Sequence, residues 1–167
     1  RDAWARQMEL SESCEYISSI KTILDSDTTW QIGGREWNAV DIAAEIFKTL
    51  KDNVTGRNNV EFSHATVAIP IGFSPVKRTK LREAAHKAGI IIDTMVSEST
   101  AAFFANYHSL KSATNVVVFD WGGGTLDISV LRHEKGRVSE LATGGMEKGG
   151  DEIDRQIALR MHRKIAR

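Results

Sequence analysis

The stretch Asn-Val-Val-Val-Phe-Asp-Trp-Gly-Gly-Gly-Thr-Leu-Asp-Ile-Ser-Val-Leu, residues 115–131, decides the fold of this chain. The apolar run 116–119 predicts a fully buried strand that ends at Asp120. Three glycines at 122–124 follow, and a second strand then alternates apolar residues with Asp127 and a serine. Two strands joined by a glycine turn between two carboxylates suit a phosphate and a hydrated divalent metal, because glycine lets successive N–H groups approach an anion closely.

A plain β-hairpin is the alternative interpretation of this stretch. Hairpin turns usually need one glycine or a pair such as Asn-Gly. Three consecutive glycines followed by Thr125 exceed that need, so we favour a phosphate-binding turn. Asp120 and Asp127 are then candidates to hold magnesium through its waters, and Thr125 could donate its hydroxyl. The amides that would bind phosphate oxygens are those of Gly122, Gly123 and Gly124.

Composition narrows the class of protein. The 167 residues suggest about one domain, and 41% of them are hydrophobic, which is enough for a core. Lys and Arg balance Asp and Glu at 22 each, so the formal net charge of zero argues against nucleic acid as a partner. Cys14 is the single cysteine, which excludes an intrachain disulfide and a cysteine-rich zinc site and favours a reducing compartment.

The sequence gives no sign of a membrane location. No apolar run is long enough to cross a bilayer, and no signal peptide is recognisable. We therefore expect no membrane partner and a cytoplasmic location. Because the chain begins with Arg1 and not Met, we also expect it to be a fragment, which leaves room for an upstream targeting segment.

Periodicity and turn residues predict an α/β chain. Strands that alternate with helices between residues 65 and 118 favour parallel neighbours, and the following meander adds antiparallel strands, so we expect a mixed sheet. The predicted strands lie within 29–37 (two short strands), at 65–69, 90–96, either side of the glycine turn, and at 138–142. The predicted helices are 2–24, one capped by Asp41, one from Ser74-Pro75 to Gly89, 99–107, and one capped by Asp151. The helix capped by Asp41 has Ile42, Ile46 and Leu50 in register along one face and a predicted loop after it at 52–59. The last helix has Ile153, Ile157, Met161 and Ile165 along one side.

Glu98 lies where a predicted strand ends and a helix begins, in Val-Ser-Glu-Ser-Thr-Ala-Ala, residues 96–102. A carboxylate at such a position is a candidate site residue. By itself, however, the pattern favours helix capping, with Ser97 or Ser99 as the cap.

Gly149 and Gly150 precede the last predicted helix, in Lys-Gly-Gly-Asp-Glu-Ile-Asp, residues 148–154. Two glycines before a helix could meet a ligand, but the pattern taken alone favours a hinge or turn. No other nucleotide motif is present. The chain has neither the Gly-x-x-x-x-Gly-Lys-Ser/Thr P-loop nor the Gly-x-Gly-x-x-Gly dinucleotide turn.

These patterns occur together and in this order in one protein family. From about Ser18 onward the chain resembles the ATPase module of the heat-shock protein 70 family, the DnaK-type chaperones. The specific match is Asp-Trp-Gly-Gly-Gly-Thr-Leu-Asp, residues 120–127. Ala-Thr-Val-Ala-Ile-Pro at 65–70, Glu-Ser-Thr-Ala-Ala at 98–102 and Gly-Gly-Asp-Glu-Ile-Asp at 149–154 support it.

The resemblance implies an actin-like ATPase (ribonuclease H-like) fold, an α/β fold with mixed sheets flanked by helices in two lobes, incomplete in this chain. The glycine turn would be the second of two phosphate-binding hairpins. Four partial subdomains are implied: the small part of the first lobe at 1–42, its core at 43–112, the core of the second lobe with the phosphate hairpin at 113–149, and the start of its small part at 150–167.

The resemblance also implies roles for single residues. Asp120 and Asp127 match the aspartates that hold magnesium through water, and Thr125 matches a threonine that contacts phosphate. Glu98 matches a glutamate near the metal and the attacking water. Lys21 is similar to the catalytic lysine, with an ordinary surface lysine as the alternative. Pro70 and Arg78 match residues that would relay the nucleotide state to the substrate-binding part. Gly149 and Gly150 match residues at the hinge of the second lobe, near the ribose.

The implied cofactors are ATP/ADP and magnesium. The implied partners are the rest of the same chaperone chain, including the missing lobe parts and the peptide-binding domain, a J-domain co-chaperone and a nucleotide exchange factor. Because the first phosphate hairpin would precede Arg1 and the adenosine-binding parts would follow Arg167, we expect the isolated chain to bind ATP weakly and to be inactive.

Four departures from the family pattern keep other functions open. The family usually has proline where this chain has Ser99, an aliphatic residue at Trp121, a basic residue at Thr22 and a different loop at 72–75. A weakly or non-hydrolysing, nucleotide-sensing co-chaperone is therefore an alternative. A sugar or glycerol kinase of the same superfold is a further one, because fold does not fix function.

Overall fold

The structure, a computed structural model, describes residue 17, residues 20–146 and residues 148–165. Of residues 163–165 it describes the backbone only. It is a mixed α/β chain with two compact units. The first unit comprises the described residues up to Ala65 together with Ser74–Asp93. The second comprises Thr66–Phe73 together with the described residues from Thr94 onward.

The first unit begins with a hairpin. Strands β1 (Thr29–Ile32) and β2 (Arg35–Asn38) are antiparallel, as predicted. Their turn uses Gly33 and Gly34, whose φ values of 60° and 77° are free of strain only for glycine. Residue 17 is not helical and residues 20–25 form turns, so the predicted helix at 2–24 is wrong where it is described. The rest of that prediction lies outside the described residues.

Helix α1 (Ala39–Asn58) begins with a capping box. The side chain of Asn38 accepts a hydrogen bond from the Asp41 amide at 2.9 Å, and the Asp41 carboxylate accepts one from the Asn38 amide at 3.2 Å. Asn38 is therefore the N-cap, and Asp41 is the third residue of the helix and not the predicted cap. The helix also runs through the predicted loop at 52–59 and ends at Asn59, which is left-handed with φ 51°.

The buried face of α1 differs from the predicted one. Ile46 and Leu50 are 55% and 54% exposed. Lys51, on the same helix, donates from its Nζ to the carbonyl of Gly89 at 2.8 Å. The fully buried residues of α1 are Ala39, Val40, Ala43 and Ala44.

Helix α2 (Pro75–Lys87) has the predicted ends. The side chain of Ser74 accepts from the Lys77 amide at 3.2 Å, and Pro75 is the first helical residue. Gly89 follows the helix with φ 69°, and the alanines at 84 and 85 are fully buried. Strands β3 (His64–Ile69) and β4 (Ile91–Ser97), on either side of α2 in sequence, form a two-stranded sheet.

Asp41 also pairs with Lys87, and this pair predicts an acid sensitivity. Asp41 Oδ1 lies 2.9 Å from Lys87 Nζ, and the hydrogen bond from Lys87 lowers the pKa of the Asp41 carboxyl, with a smaller contribution from the Asn38 amide. The folded-state pKa is depressed, so the pair stabilises the chain fully above about pH 4, the unfolded value, and this stability is lost as the pH falls through the folded pKa.

We expect Asp41→Asn to lower the free energy of unfolding at pH 7 and to remove part of its decline between pH 5 and pH 2. Urea unfolding measured across that range tests this. Asp52→Asn, an exposed aspartate on the same helix, is the matched control. Parallel pH profiles for Asp41→Asn and the unmodified chain would contradict the assignment.

The second unit holds two short helices, a three-stranded sheet and a final helix. Helices α3 (Glu98–Ala105) and α4 (Tyr107–Leu110) precede the antiparallel sheet of β5 (Asn115–Trp121), β6 (Leu126–Glu134) and β7 (Arg137–Met146). Lys135 and Gly136 connect β6 to β7 with φ values of 50° and 73°, as a primed two-residue turn requires. A bulge near Leu141 shifts the β6–β7 register.

The meander forms a sheet of its own, which differs from the predicted mixed sheet. Among the described strands, β5 to β7 pair only with their neighbours in sequence, and β4 pairs with β3 in a separate sheet. The centre of the unit is a buried cluster in which Phe103 and Leu131 are fully enclosed and the Phe103 ring lies 5.3 Å from that of His133.

Helix α5 (Gly150–Ile165) ends the described chain. It begins one residue before Asp151, which therefore lies in the first turn and is not the cap. The predicted apolar side is exposed, with Ile153, Ile157 and Met161 at 44%, 52% and 57%. In the same first turn, Arg155 donates to Glu152 and holds the pKa of that carboxyl at about 2. No helix in the described ranges is long and apolar enough to cross a membrane.

Candidate functional site at the glycine turn

Asp120 and Asp127 face each other across the β5–β6 ladder. They form the last pair but one before the turn, with Trp121 opposite Leu126 as the final pair. Directly opposed side chains lie about 5 Å apart on one face of a sheet, and two like charges there destabilise it. A bound cation relieves that repulsion, so the sheet brings together two oxygen ligands of the kind magnesium prefers.

The turn between these strands is closed by its own backbone. The Gly122 amide donates to the carbonyl of Thr125 at 2.9 Å. This bond uses one of the three glycine amides that the sequence assigns to phosphate. An anion at the turn would therefore be held chiefly by the amides of Gly123 and Gly124, beside the half-buried Thr125.

The carbonyls of the turn cap the last helix. The Gly150 amide donates to the carbonyl of Gly122 at 3.0 Å, and the Asp151 amide donates to that of Gly123 at 2.9 Å. The first N–H groups of a helix have no partner within the helix, so these bonds satisfy α5 and fix it to the glycine turn. The first amides of α5 are thereby occupied by protein oxygens and not left for an anion.

The contact between the turn and α5 leaves room only for glycine at position 149. A Cβ at this buried position would lie 2.2 Å from the carbonyl oxygen of Gly123 and 2.4 Å from that of Gly122, so no side chain fits. A Cβ at Gly150 would meet its nearest atom, the oxygen of Gly122, at 3.9 Å, an ordinary contact. The sequence left a ligand contact and a hinge open for this pair; the structure shows close packing of Gly149 against the turn.

Gly145 belongs to the site, although the sequence reasoning missed it. It is the cross-strand partner of Asp127 on β7, and a Cβ there would lie 2.6 Å from Asp127 Oδ1 and 2.9 Å from the Leu126 carbonyl. The missing side chain gives the Asp127 carboxylate its space. The available signal was the Gly-Gly pair at 144–145, since glycine inside a strand often marks a close approach.

Glu98 is the first residue of α3 and is half-buried. Its helix is capped by Ser97, whose side chain accepts from the Thr100 amide at 3.0 Å, which confirms one of the two predicted caps. Ser99 is not the cap. It is 2% exposed and forms a hydrogen bond with Ser129.

The other predicted residues are distributed over both units. Pro70 follows β3 in the second unit, and its carbonyl accepts from the Phe73 amide at 3.1 Å. Lys21 and Arg78 belong to the first unit, where Lys21 lies in the turn at 20–25 and Arg78 in the first turn of α2; both are exposed. The candidate residues that the structure joins around one turn are Asp120, Gly122, Gly123, Gly124, Thr125, Asp127, Gly149 and Gly150.

The donor set fits a metal held through water. Within the described part of the chain, no group of three or more His, Cys, Asp or Glu side chains could enclose a metal ion directly. Magnesium keeps several of its waters in proteins and is often bound by only one or two carboxylates. The pair Asp120 and Asp127 satisfies that requirement.

Known proteins resemble this chain in sequence along most of its length. The family model described as Hsp70 protein matches residues 9–166. The chain belongs to the Hsp70 family. Its Hsp70 relatives include the chaperone protein DnaK of Mycoplasmopsis synoviae (strain 53), 32% identical over 98% of this chain and 27% of the relative. A chaperone protein HscA homolog of Pseudoalteromonas atlantica is 35% identical over 80% of the chain and 22% of the relative.

A second HscA homolog, from Acinetobacter baumannii (strain AYE), is 38% identical over 71% of the chain and 20% of the relative. The chain thus spans between a fifth and about a quarter of the length of these Hsp70 relatives. Its membership in the family confirms the resemblance stated from the motifs.

Proposed function

We propose that this chain carries the second phosphate-binding hairpin of an Hsp70-type ATPase module. The full-length protein to which it would belong, called the parent protein below, would hydrolyse ATP to ADP and phosphate and assist protein folding. The observation that carries this proposal is the pair of opposed aspartates, Asp120 and Asp127, on either side of a glycine turn that caps a helix.

The described residues would act mainly by position and charge, as phosphoryl transfer demands. The amides of Gly123 and Gly124 would hold phosphate oxygens, and Thr125 would donate its hydroxyl to them. Asp120 and Asp127 would accept hydrogen bonds from the waters of a bound magnesium ion. Magnesium, when bound, would supply positive charge that neutralises the phosphates.

Two residues outside the turn complete the proposed chemistry. Glu98 would orient the attacking water through its carboxylate, and Lys21 would supply positive charge for the transition state. Pro70 and Arg78 would relay the nucleotide state to a peptide-binding domain in the parent protein. Gly149 and Gly150 would lie near the ribose, where the second lobe hinges.

The larger architecture is part of the same proposal. The parent module would have the actin-like fold in two lobes, with ATP/ADP and magnesium between the lobes. The proposed boundaries in this chain remain 1–42, 43–112, 113–149 and 150–167. A cytoplasmic location, a J-domain co-chaperone and a nucleotide exchange factor are the corresponding proposals for the cell.

Phosphate release by the parent protein tests the function. We expect the unmodified protein to bind ATP and release phosphate, and Lys21→Ala and Glu98→Gln each to slow turnover by about a hundredfold or more, since each removes a group that acts on the transition state. Lys48→Ala, an exposed lysine of α1, is the control and should leave turnover unchanged.

The other possible outcomes would favour a different function or a different site. ATP binding without phosphate release would favour the nucleotide-sensing co-chaperone. Phosphorylation of a sugar or glycerol would favour the kinase. Unchanged turnover in both Lys21→Ala and Glu98→Gln would show that the site is assigned to the wrong residues.

A further inference from the structure

A set of hydroxyl contacts surrounds the start of α3, where Glu98 lies. The Ser97 hydroxyl contacts Glu140 Oε1, and the Thr100 hydroxyl donates to the same oxygen at 3.2 Å. Ser99 Oγ and Ser129 Oγ are 2.7 Å apart. We call these five residues the hydroxyl cluster. It links the first turn of α3 to strands β6 and β7.

Helix capping does not require Ser99. Ser97 already supplies the cap through its bond with the Thr100 amide, so Ser99 is free of that task. Yet Ser99 and Ser129 are only 2% and 0% exposed, and burying hydroxyl groups is unfavourable unless they are paired. Two buried hydroxyls that satisfy each other form a directional contact in a low-dielectric interior, and such contacts select one arrangement of the elements that they join.

The positions of the two serines relate that contact to the proposed site. Ser99 follows Glu98 directly in the chain. Ser129 is two residues from Asp127 on β6, and residues two apart on a strand share one face of the sheet. The Ser99–Ser129 bond therefore joins the immediate surroundings of two carboxylates that lie on different elements. Glu140 adds a second link, between β7 and the residues Ser97 and Thr100 at the start of α3.

We propose that the Ser99–Ser129 hydrogen bond, supported by Glu140, positions Glu98 relative to Asp127 and the glycine turn. The inference rests on the proposed function, because it assigns a positioning role with respect to that site. Ser99 and Ser129 do not touch nucleotide in this view. They act through the placement of the glutamate, and a displacement of about 1 Å at a reacting group can slow a reaction by up to about a hundredfold.

Steady-state ATP hydrolysis by the parent protein tests the proposal with Ser99→Ala, Ser129→Ala and the double variant. We expect kcat to fall about tenfold in each, with the dissociation constant for ATP changed less than about twofold. Each single variant leaves one buried hydroxyl unpaired, whereas the double variant leaves none, so thermal stability should recover in the double variant while kcat stays low. Ser139→Ala, an exposed serine next to Glu140, is the control.

A second background separates positioning from general damage. If Ser99 acts through Glu98, Ser99→Ala should slow the unmodified protein but cause no further loss in Glu98→Gln. An equal loss in both backgrounds would overturn the inference, and so would a double variant whose kcat returns to normal together with its stability.

The same variants distinguish the two proposals. Unchanged turnover in Glu98→Gln would contradict the proposed function itself. A slow Glu98→Gln beside fully active Ser99→Ala and Ser129→Ala would refute the role of the hydroxyl cluster alone.

Discussion

Gly149→Ala is expected to disrupt the glycine turn, whereas Gly150→Ala is expected to preserve it. The added methyl of Gly149→Ala would lie 2.2 Å from a backbone carbonyl oxygen of the turn, and a backbone atom cannot move aside as the end of a side chain can. Overpacking of this kind costs about 1–3 kcal/mol, and we expect a loss of free energy of unfolding near the upper end of that range. Because the same carbonyls cap α5, the helix start and the turn should be displaced together.

The activity of the parent protein should follow the same order. A turn displaced by about 1 Å predicts a turnover reduced by about a hundredfold in Gly149→Ala. Gly150→Ala keeps the backbone contact and adds a methyl at an ordinary contact distance on a helix, where alanine is favoured over glycine, so stability and turnover should stay near normal. Urea unfolding of the chain and phosphate release by the parent measure the two effects. Equal behaviour of the two variants would show that the close packing at Gly149 has no importance.

Asp120→Asn and Asp127→Asn are expected to have opposite effects on stability and on turnover. In the absence of metal, each substitution removes one of two like charges that face each other across β5 and β6, so the free energy of unfolding of the chain should rise by about 0.5 kcal/mol. In the parent protein, each should lower ATP turnover by about a hundredfold or more, because one of the two magnesium-water acceptors loses its charge.

The stability effect can be isolated from ordinary charge changes. The gain from either asparagine should shrink as salt rises from low concentration to about 1 M, since screening weakens the repulsion between exposed charges. Asp52→Asn on α1 changes the net charge equally and should show no comparable gain. If both aspartate variants were less stable than the unmodified chain without metal, the two carboxylates would not repel each other as the register implies.

Local patterns predicted several elements correctly. The hairpin around residues 122–125 follows from an apolar run, glycines and an alternating strand, all within reach of one another along the chain. The ends of α2 follow from Ser74-Pro75 and Gly89 for the same reason. These signals depend on backbone preferences of single residues and their immediate neighbours, so they can be recognised without knowledge of the tertiary fold. The prediction that the apolar run is fully buried is wrong, because its side chains alternate between the two faces of the sheet and Val117 and Phe119 are 67% and 59% exposed.

Several of the errors came from contacts between distant residues. The face of α1 that is buried depends on where α2 packs against it, and the pattern of apolar residues in α1 alone does not contain that contact. One error was local: the cap of the same helix was assigned to Asp41, whereas Asn38 is the N-cap and Asp41 completes a capping box three residues later. The sequence did not predict a role for Gly145 or Ser129, because the role of each depends on contacts with cross-strand or helix–strand neighbours.

The sequence by itself determined the glycine turn, the two aspartates that flank it, the order of the accompanying motifs and the family. Each of these is a local pattern of residue types, which the printed order of amino acids contains in full. Only the tertiary structure decided that the turn carbonyls cap α5, that Gly149 has no room for a side chain, and that Ser99 meets Ser129. These features join residues far apart in the chain, and packing in three dimensions alone sets the distances between their atoms.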